Sequence, residues 1–143
     1  MKLITREIDY AVRALKYMAE SGLDRIPVTE LEEKIGITRP MLRKIMQELA
    51  KNGVVESYKG KNGGFSLNRI PEDIYLIDLV ETFHGKFIMN ECMLNKDICP
   101  NRDTCILKEK IEEIEADIKS RLGSINLKSL MNNKGEGKWQ KEI

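Results

Sequence analysis

Three cysteines in the second half of the chain are the residues whose type and spacing could carry specific chemistry. Cys92, Cys99 and Cys105 follow the pattern C-x6-C-x5-C. This pattern contains no CxxC pair, so it differs from a zinc ribbon, and it lacks the ferredoxin spacings. Three thiolates can still ligate an iron–sulfur cluster if a fourth ligand comes from elsewhere; free thiols or a regulatory disulfide are the alternatives. The odd cysteine count argues against a disulfide framework.

Basic residues concentrate in the N-terminal half and form a second candidate for chemistry, the binding of a polyanion. Residues 1–70 hold 13 Lys and Arg against 9 Asp and Glu, whereas residues 71–143 hold 11 against 14. Between residues 39 and 69 there are seven basic residues and two acidic ones. A local excess of this size is a patch that nucleic acid can bind, although solvated basic faces are also common.

Helices are predicted on both sides of the first glycines. Residues 5–20 repeat apolar side chains at helical spacing, with Thr5 as N-cap and an end at Gly22. A second helix is predicted to start at Thr29, because Thr29 and Glu32 have the spacing of a capping box, and to stop at Gly36.

A third helix is predicted from Arg39 to about residue 52, with Thr38 as N-cap, Pro40 in the first turn and Gly53 as its end. Its predicted inner face is apolar and consists of Met41, Leu42, Ile45, Met46 and Leu49. Its predicted outer face is polar and basic and consists of Arg39, Arg43, Lys44, Gln47 and Lys51. Two short helices joined by a glycine-containing turn, the second one basic outside, are typical of a helix-turn-helix.

A β-hairpin is predicted directly after the third helix. Residues 54–58 alternate as a strand, residues 59–64 form a basic, glycine-rich turn, and residues 65–67 return. A winged helix carries its wing at this place. The predicted fold is therefore mainly α with a small β-wing: a winged helix-turn-helix domain followed by a long dimerisation helix.

The predicted DNA contacts come from the third helix and the wing. Arg39 and Arg43 are expected at base edges, because arginine is the usual bidentate reader of guanine, and Lys59 and Lys61 at phosphates or the minor groove. The full predicted set is Thr38, Arg39, Pro40, Met41, Arg43, Lys44, Gln47, Lys59, Gly60 and Lys61. The expected partner is a double-stranded DNA operator.

The second half is predicted to add a sensing loop and a dimerisation helix. An apolar helix over 74–83 ends at His84 and Gly85, and residues 86–104 carry two of the cysteines. The long helix from about Cys105 to Leu122 repeats apolar residues close to a coiled-coil seam: Leu107, Ile111, Ile114, Ile118, Leu122 and Ile125. Such a stripe usually packs against its own domain, but the N-terminal half already accounts for a small core, so the seam favours a homodimer. A restart at residues 123–124, a short segment over 125–131 and a disordered tail over 132–143 follow. The predicted units are 1–85, 86–104, 105–131 and 132–143.

Three motifs in this order resemble the Rrf-type family of regulators. The stretch 53–67, GVVESYKGKNGGFSL, resembles the family's wing signature, in which Gly and two hydrophobic residues precede Ser, a basic residue and Gly, then Gly-Gly-aromatic and Leu. The opening MKLI with Asp9-Tyr10-Ala11, and the cysteine spacing, are also similar, so that the match covers about residues 1–131. The resemblance implies a homodimeric repressor or activator whose operator binding depends on a 2Fe–2S or 4Fe–4S cluster. Family members sense cluster supply, nitric oxide or iron.

The resemblance also bears on the fourth cluster ligand. One branch of the family uses a histidine three residues after its third cysteine, and this chain has Lys108 there, which is a poor ligand. Another branch takes an aspartate from the first helix of the partner subunit, which makes Asp9 the candidate here and Glu7 the second choice. An acidic residue in a first helical turn is also favoured without any cluster. His84 is interpreted as a polar residue at a helix end.

Composition and motifs weigh against other classes of protein. There is no apolar run of 18 residues and no secretory signal, so we expect a cytoplasmic protein without membrane contact. No glycine-rich cofactor loop or acid–base constellation favours an enzyme or a small-molecule substrate. The remaining alternative is a cluster-free regulator controlled by thiol–disulfide exchange.

Overall fold

A computed structural model describes residues 2–89, 99, 101 and 103–131. Cys92 and the predicted disordered tail at 132–143 lie outside the described residues. The helices are α1 (Arg6–Ser21), α2 (Val28–Ile35), α3 (Arg39–Lys51), α4 (Leu76–His84), α5 (Ile106–Ser124) and α6 (Leu127–Met131). The strands are β1 (Val55–Tyr58) and β2 (Gly64–Leu67), and a single 3₁₀ turn spans Pro71–Asp73. None of the described helices is long and apolar enough to cross a membrane.

The helix-turn-helix is confirmed, with one boundary that differs from the prediction. Helix α2 begins at Val28 and has Pro27 in the N-cap position, so the capping box of Thr29 and Glu32 does not form. Pro27 has no N–H to satisfy, and its carbonyl accepts hydrogen bonds from the backbone of Glu30 and Leu31 at 3.1 and 3.2 Å. Thr5 and Thr38 occupy the predicted N-cap positions of α1 and α3, but neither side chain makes the capping hydrogen bond.

The wing is an antiparallel pair in which Val55 lies opposite Leu67 and Tyr58 opposite Gly64. Ile26 forms an isolated antiparallel bridge to this pair, since its backbone N–H and C=O both pair with Phe65 at 2.9 Å. Gly64 permits this approach, because a Cβ at that position would lie 2.4 Å from the carbonyl oxygen of Ile26. The double glycine before Phe65 is therefore a packing requirement as well as a turn signal.

The hydrophobic core lies between α1, α2, α3, the wing, α4 and α6. Its buried residues include Ile8, Leu15, Leu31, Leu42, Ile45, Leu49, Val55, Phe65, Leu79 and Leu127. No residue of α5 belongs to this core, and Leu122 is the one residue of α5 that is buried. Burial of this set orients α3 so that its opposite face points outward.

The C-terminal elements differ from the prediction at two boundaries. Helix α4 begins at Leu76 rather than at residue 74, because the backbone of Ile74 and Leu76 pairs with Leu127 and Ile125 at 2.8 Å. Helix α5 runs through Gly123 to Ser124, so the predicted restart at residues 123–124 is wrong. Helix α6 then returns to the core through Leu127.

Candidate nucleic-acid interface and cysteine segment

A groove of about 820 Å³ lies between α3 and the wing. Its walls are polar and basic, and its lining residues include Arg25, Thr29, Arg39, Arg43, Gln47, Tyr58, Lys59, Lys61 and Asn62. Helix α3 supplies one wall, and the turn between β1 and β2 supplies the other. Five of the lining residues carry a positive charge, so the groove suits a polyanion.

The predicted contacts on α3 are all solvent-exposed: Thr38, Arg39, Pro40, Met41, Arg43, Lys44 and Gln47. Arg39, Arg43 and Gln47 line the groove, whereas the other four lie outside it. Met41 was also predicted on the inner face of the helix, and this placement is wrong, because its side chain is 38% exposed. The core beneath α3 is filled by Leu42, Ile45, Met46 and Leu49 without it.

The three predicted wing residues lie together on the opposite wall. Lys59, Gly60 and Lys61 are exposed and line the groove. Gly60 has a φ of 95°, a conformation that residues with a Cβ rarely adopt, so the tight turn depends on this glycine. The turn therefore presents two lysines opposite the basic face of α3.

The basic residues of α3 differ in whether they form an ion pair with another residue of the chain. Nε of Arg39 lies 2.8 Å from a carboxylate oxygen of Glu32 in α2, and Nζ of Lys44 lies 3.1 Å from Glu7 in α1. Arg43 forms no ion pair with any of the residues that the structure describes. Its guanidinium is therefore available to a ligand without breaking a pair first.

Sequence reasoning missed Arg25, Tyr58 and Asn62. The guanidinium of Arg25 lies 3.6 Å from the centre of the Tyr58 ring, and its Nη1 donates to the carbonyl of Asn62 at 3.4 Å. Arg25 comes from the linker between α1 and α2, which carries no motif of its own. The sequence signal that could have indicated the position of Arg25 is Arg-Ile-Pro, because Ile26 and Pro27 are typical of an extended segment that ends before a helix.

The described cysteines do not form a complete ligand set by themselves. Cys99 and Cys105 are free thiols and are half-buried, and Cys105 is the N-cap residue of α5. The described residues contain no group of three His, Cys, Asp or Glu side chains that could hold a metal ion. Cys92, the remaining predicted thiolate ligand, lies outside these residues.

The two candidate carboxylates in α1 are engaged by basic residues. A carboxylate oxygen of Asp9 lies 2.8 Å from Nη2 of Arg13, one helical turn away, while Glu7 pairs with Lys44 as described above. His84 is exposed at the end of α4, and Lys108 lies 3.5 Å from Glu112. A ligand role for Asp9 would require its carboxylate to exchange Arg13 for iron.

The chain that leads into the cysteine segment is fixed by two glutamates. The backbone N–H of Phe87 donates to Glu81 of α4 at 3.1 Å, and that of Met89 donates to Glu115 of α5 at 2.8 Å. Residues 87–89 are thereby attached to both helices.

Among the residues that the structure describes, Tyr17 has a shifted pKa. The hydroxyl of Tyr17 in α1 donates to Glu30 in α2 at 2.5 Å. This hydrogen bond, together with desolvation and the negative charges of Glu30 and Glu33, raises the pKa of Tyr17 above its ordinary value of 10.0. The contact ties α1 to α2 beneath the start of the helix-turn-helix.

Comparison with known proteins places the chain among bacterial regulators. The family model Rrf2, described as an iron-dependent transcriptional regulator, matches residues 4–133. The chain is 35% identical over 127 residues to an HTH-type transcriptional regulator of Aquifex aeolicus, covering 87% of this chain and 88% of that one. It is 30% identical to the regulator NsrR of Bacillus subtilis, covering 94% and 92% of the two chains.

Two solved structures have the same fold. The global cysteine regulator CymR of B. subtilis superposes with a TM-score of 0.70 at 21% identity, over 92% of this chain and 97% of that one. The regulator IscR of T. potens superposes with a TM-score of 0.66 at 24% identity, over 92% and 86%. These likenesses establish a winged-helix fold for the chain.

Proposed function

The chain belongs to the Rrf2 family of transcriptional regulators, and from this premise we propose that it binds operator DNA as a homodimer under the control of an iron–sulfur cluster. The observation that carries the DNA-binding part is the groove, in which α3 and the wing present basic residues towards each other. An exposed helix beside a basic β-hairpin fits the major groove and the adjacent backbone of a duplex.

Arg43 is the base-reading residue of this proposal, and Lys59 is a phosphate contact. Arg43 lines the groove and is unpaired among the described residues, whereas Arg39 would have to leave Glu32 before it could read a base with its whole guanidinium. The wing turn holds Lys59 at the groove wall. The other four predicted contacts lie outside the groove, and in this proposal they contact the DNA backbone beside it: Thr38, Pro40, Met41 and Lys44.

The two roles predict different losses. An operator would first be selected from a random duplex library with anaerobically purified protein. Arg43→Ala should then weaken operator binding by about 1–3 kcal/mol and relax the base preference at one position. Lys59→Ala should weaken binding to operator and random duplex alike and lower the salt slope by about one unit. Equal losses on both duplexes for Arg43→Ala would remove it from base reading.

Dimerisation is proposed through α5. Two residues of its apolar seam are exposed within one chain, Leu107 at 70% and Ile114 at 47%, while Ile111 and Ile118 are partly buried. A second copy of the same helix would cover both seams and set two α3 helices on one duplex. This arrangement would match a two-fold symmetric operator.

The proposed cluster site consists of Cys92, Cys99 and Cys105 with Asp9 of the partner subunit. The donor chemistry fits, because thiolates are the usual ligands of iron–sulfur clusters, and Cys99 and Cys105 are free and half-buried. The family model's description as iron-dependent supports the same reading. When bound, the cluster would supply iron that can be lost or modified by a signal. The residues of this chain would hold it, and the contacts of Glu81 and Glu115 would connect it to α4 and α5.

Anaerobic purification with iron and sulfide analysis and an absorption spectrum tests the cluster. Each of Cys92→Ala, Cys99→Ala and Cys105→Ala should abolish the iron content. Asp9→Ala should leave a cluster with an altered spectrum and faster loss, and Asp24→Ala serves as the matched control in the same half of the chain. A spectrum and stability unchanged by Asp9→Ala would make Glu7 or a solvent molecule the next candidate.

A thiol switch is the second candidate, and the free, half-buried state of Cys99 and Cys105 favours it. Under this reading, anaerobically purified protein would contain no iron. Mild oxidation would then change DNA binding reversibly, and a reductant would restore it. Mixed dimers test whether Asp9 ligates across the dimer: one subunit without Asp9 and one without the three cysteines should retain one cluster site if ligation occurs between subunits and none if it occurs within one subunit.

A further inference from the structure

We propose that Arg25 is a phosphate-binding residue of the DNA interface and that the ring of Tyr58 holds it in position for this role. The proposal rests on the proposed DNA-binding function. It adds a contact from the linker between α1 and α2, outside both the recognition helix and the wing turn. The ligand is the backbone phosphate of duplex DNA.

Strand pairing places Arg25 beside the wing. Ile26 pairs with Phe65 through two backbone hydrogen bonds of 2.9 Å, and its side chain is buried in the core. Because successive side chains of an extended chain point to opposite faces, Arg25 points away from the core. Arg25 is accordingly exposed and lines the groove.

The ring of Tyr58 is fixed and open on the side of Arg25. Its hydroxyl donates to Glu56 at 3.1 Å and accepts from Ser66 at 3.4 Å, so the ring is anchored at its far edge. Its cross-strand partner is Gly64, which adds no side chain of its own beside the ring. The guanidinium of Arg25 lies over the ring, 3.6 Å from its centre. A cation over an aromatic face is held by the ring quadrupole.

Stacking leaves the edge of the guanidinium for a ligand. The five N–H donors of arginine lie in one plane, and among the described residues only Nη1 has an acceptor, the carbonyl of Asn62 at 3.4 Å. Arg25 forms no ion pair with a carboxylate in the described ranges. Planar donors aimed from a fixed position suit the oxygens of a phosphate, and the prior ordering of the side chain lowers the entropy lost on binding.

The groove supplies a reason for this ligand to be DNA. Arg25 shares the groove with Arg43 on α3 and with Lys59 and Lys61 on the wing turn. A DNA duplex bound in this groove would place backbone phosphates beside both α3 and the wing turn. Arg25, beside the wing turn, would then contact backbone rather than base edges, because base edges lie on the side of α3.

Salt-dependent binding of the full-length protein to operator and random duplex tests the role. Arg25→Ala should weaken binding to both duplexes by the same factor and lower the salt slope by about one unit. Arg25→Lys keeps the charge, so the slope should stay near the wild-type value while affinity falls. Lys86→Ala, an exposed lysine that does not line the groove, is the control that should change neither quantity.

A double-mutant cycle tests the part assigned to Tyr58. Tyr58→Leu removes the ring and should weaken binding only while Arg25 is present, so the losses from Arg25→Ala and Tyr58→Leu should be clearly non-additive. Circular dichroism melts of each variant show whether the wing remains folded. Additive losses would overturn the preorganisation by Tyr58.

The outcomes also separate this inference from the proposed function. If the wild-type protein binds no duplex in a salt-dependent way, the DNA-binding proposal itself fails. If the wild type binds and Lys59→Ala lowers the slope while Arg25→Ala leaves it unchanged, only the role of Arg25 is overturned.

Discussion

In the N-terminal half of the molecule the apolar faces of α1, α2 and α3 bury one another, whereas only Leu122 of α5 is buried. The N-terminal half forms a hydrophobic core within a single chain and carries the polar groove on its surface. The second region leaves Leu107 and Ile114 of its apolar seam exposed, and its polar faces carry ion pairs such as Arg121 with Asp117. Exposed leucine and isoleucine at seam spacing give a lone helix no stability, which is the basis for the proposed contact of α5 with a second copy of the chain.

The largest expected effect comes from breaking the seam of α5. Ile114→Asp combined with Ile118→Asp would place unpaired charges into the proposed dimer contact, where a buried charge without a partner costs about 3–5 kcal/mol. Sedimentation velocity should show a monomer or unfolded chain instead of a dimer. Ser120→Asp is the matched control, since Ser120 is exposed and lies on the face of α5 opposite the seam. A normal dimer from the double variant would place the interface elsewhere.

The next effect contrasts two glycines, one in each region. Gly64→Ala should destabilise the N-terminal half by on the order of 2–5 kcal/mol, because its φ is 142° and its Cβ would overlap the carbonyl of Ile26. Gly123→Ala in α5 should be neutral or stabilising by up to about 1 kcal/mol, since its Cβ would meet only the side chain of Ile77 at 3.8 Å. Denaturant unfolding measures both. Similar stability for the two variants would contradict the close approach of Ile26 to the wing.

The smallest effect concerns pH and acts on the N-terminal half alone. Because the pKa of Tyr17 is raised in the folded chain, its contact with Glu30 contributes stability that is complete below pH 10 and is lost as pH rises through the folded pKa. Tyr17→Phe should therefore be slightly less stable at neutral pH and should show a weaker fall in melting temperature above pH 10. Tyr75→Phe, in the turn before α4, is the control, and parallel alkaline profiles for wild type and Tyr17→Phe would contradict the assignment.

Much of the fold could be predicted because its signals are local. The glycines at 22, 36 and 53, the apolar spacing of α1 and α3, and the basic turn at 59–63 each act within a few residues of the chain. The errors arose where distant residues decide the outcome. The start of α4 was misplaced because Ile74 and Leu76 pair with Leu127 and Ile125, and Met41 was placed inside because helical spacing alone does not show how wide the buried face is.

For the candidate site, the sequence alone determined the residue types and the elements that carry them: Arg43 on the recognition helix, Lys59 and Lys61 on the wing, and the three cysteines before α5. Only the tertiary structure decided which of these basic residues form no ion pair among the described residues, and that Arg25 lines the same groove. Glu7 and Lys44 are 37 residues apart, as are Arg25 and Asn62, yet both pairs are in contact. Local periodicity fixes which face of an element is apolar, but a pair between two elements depends on how their cores pack, and that is determined by the whole chain at once.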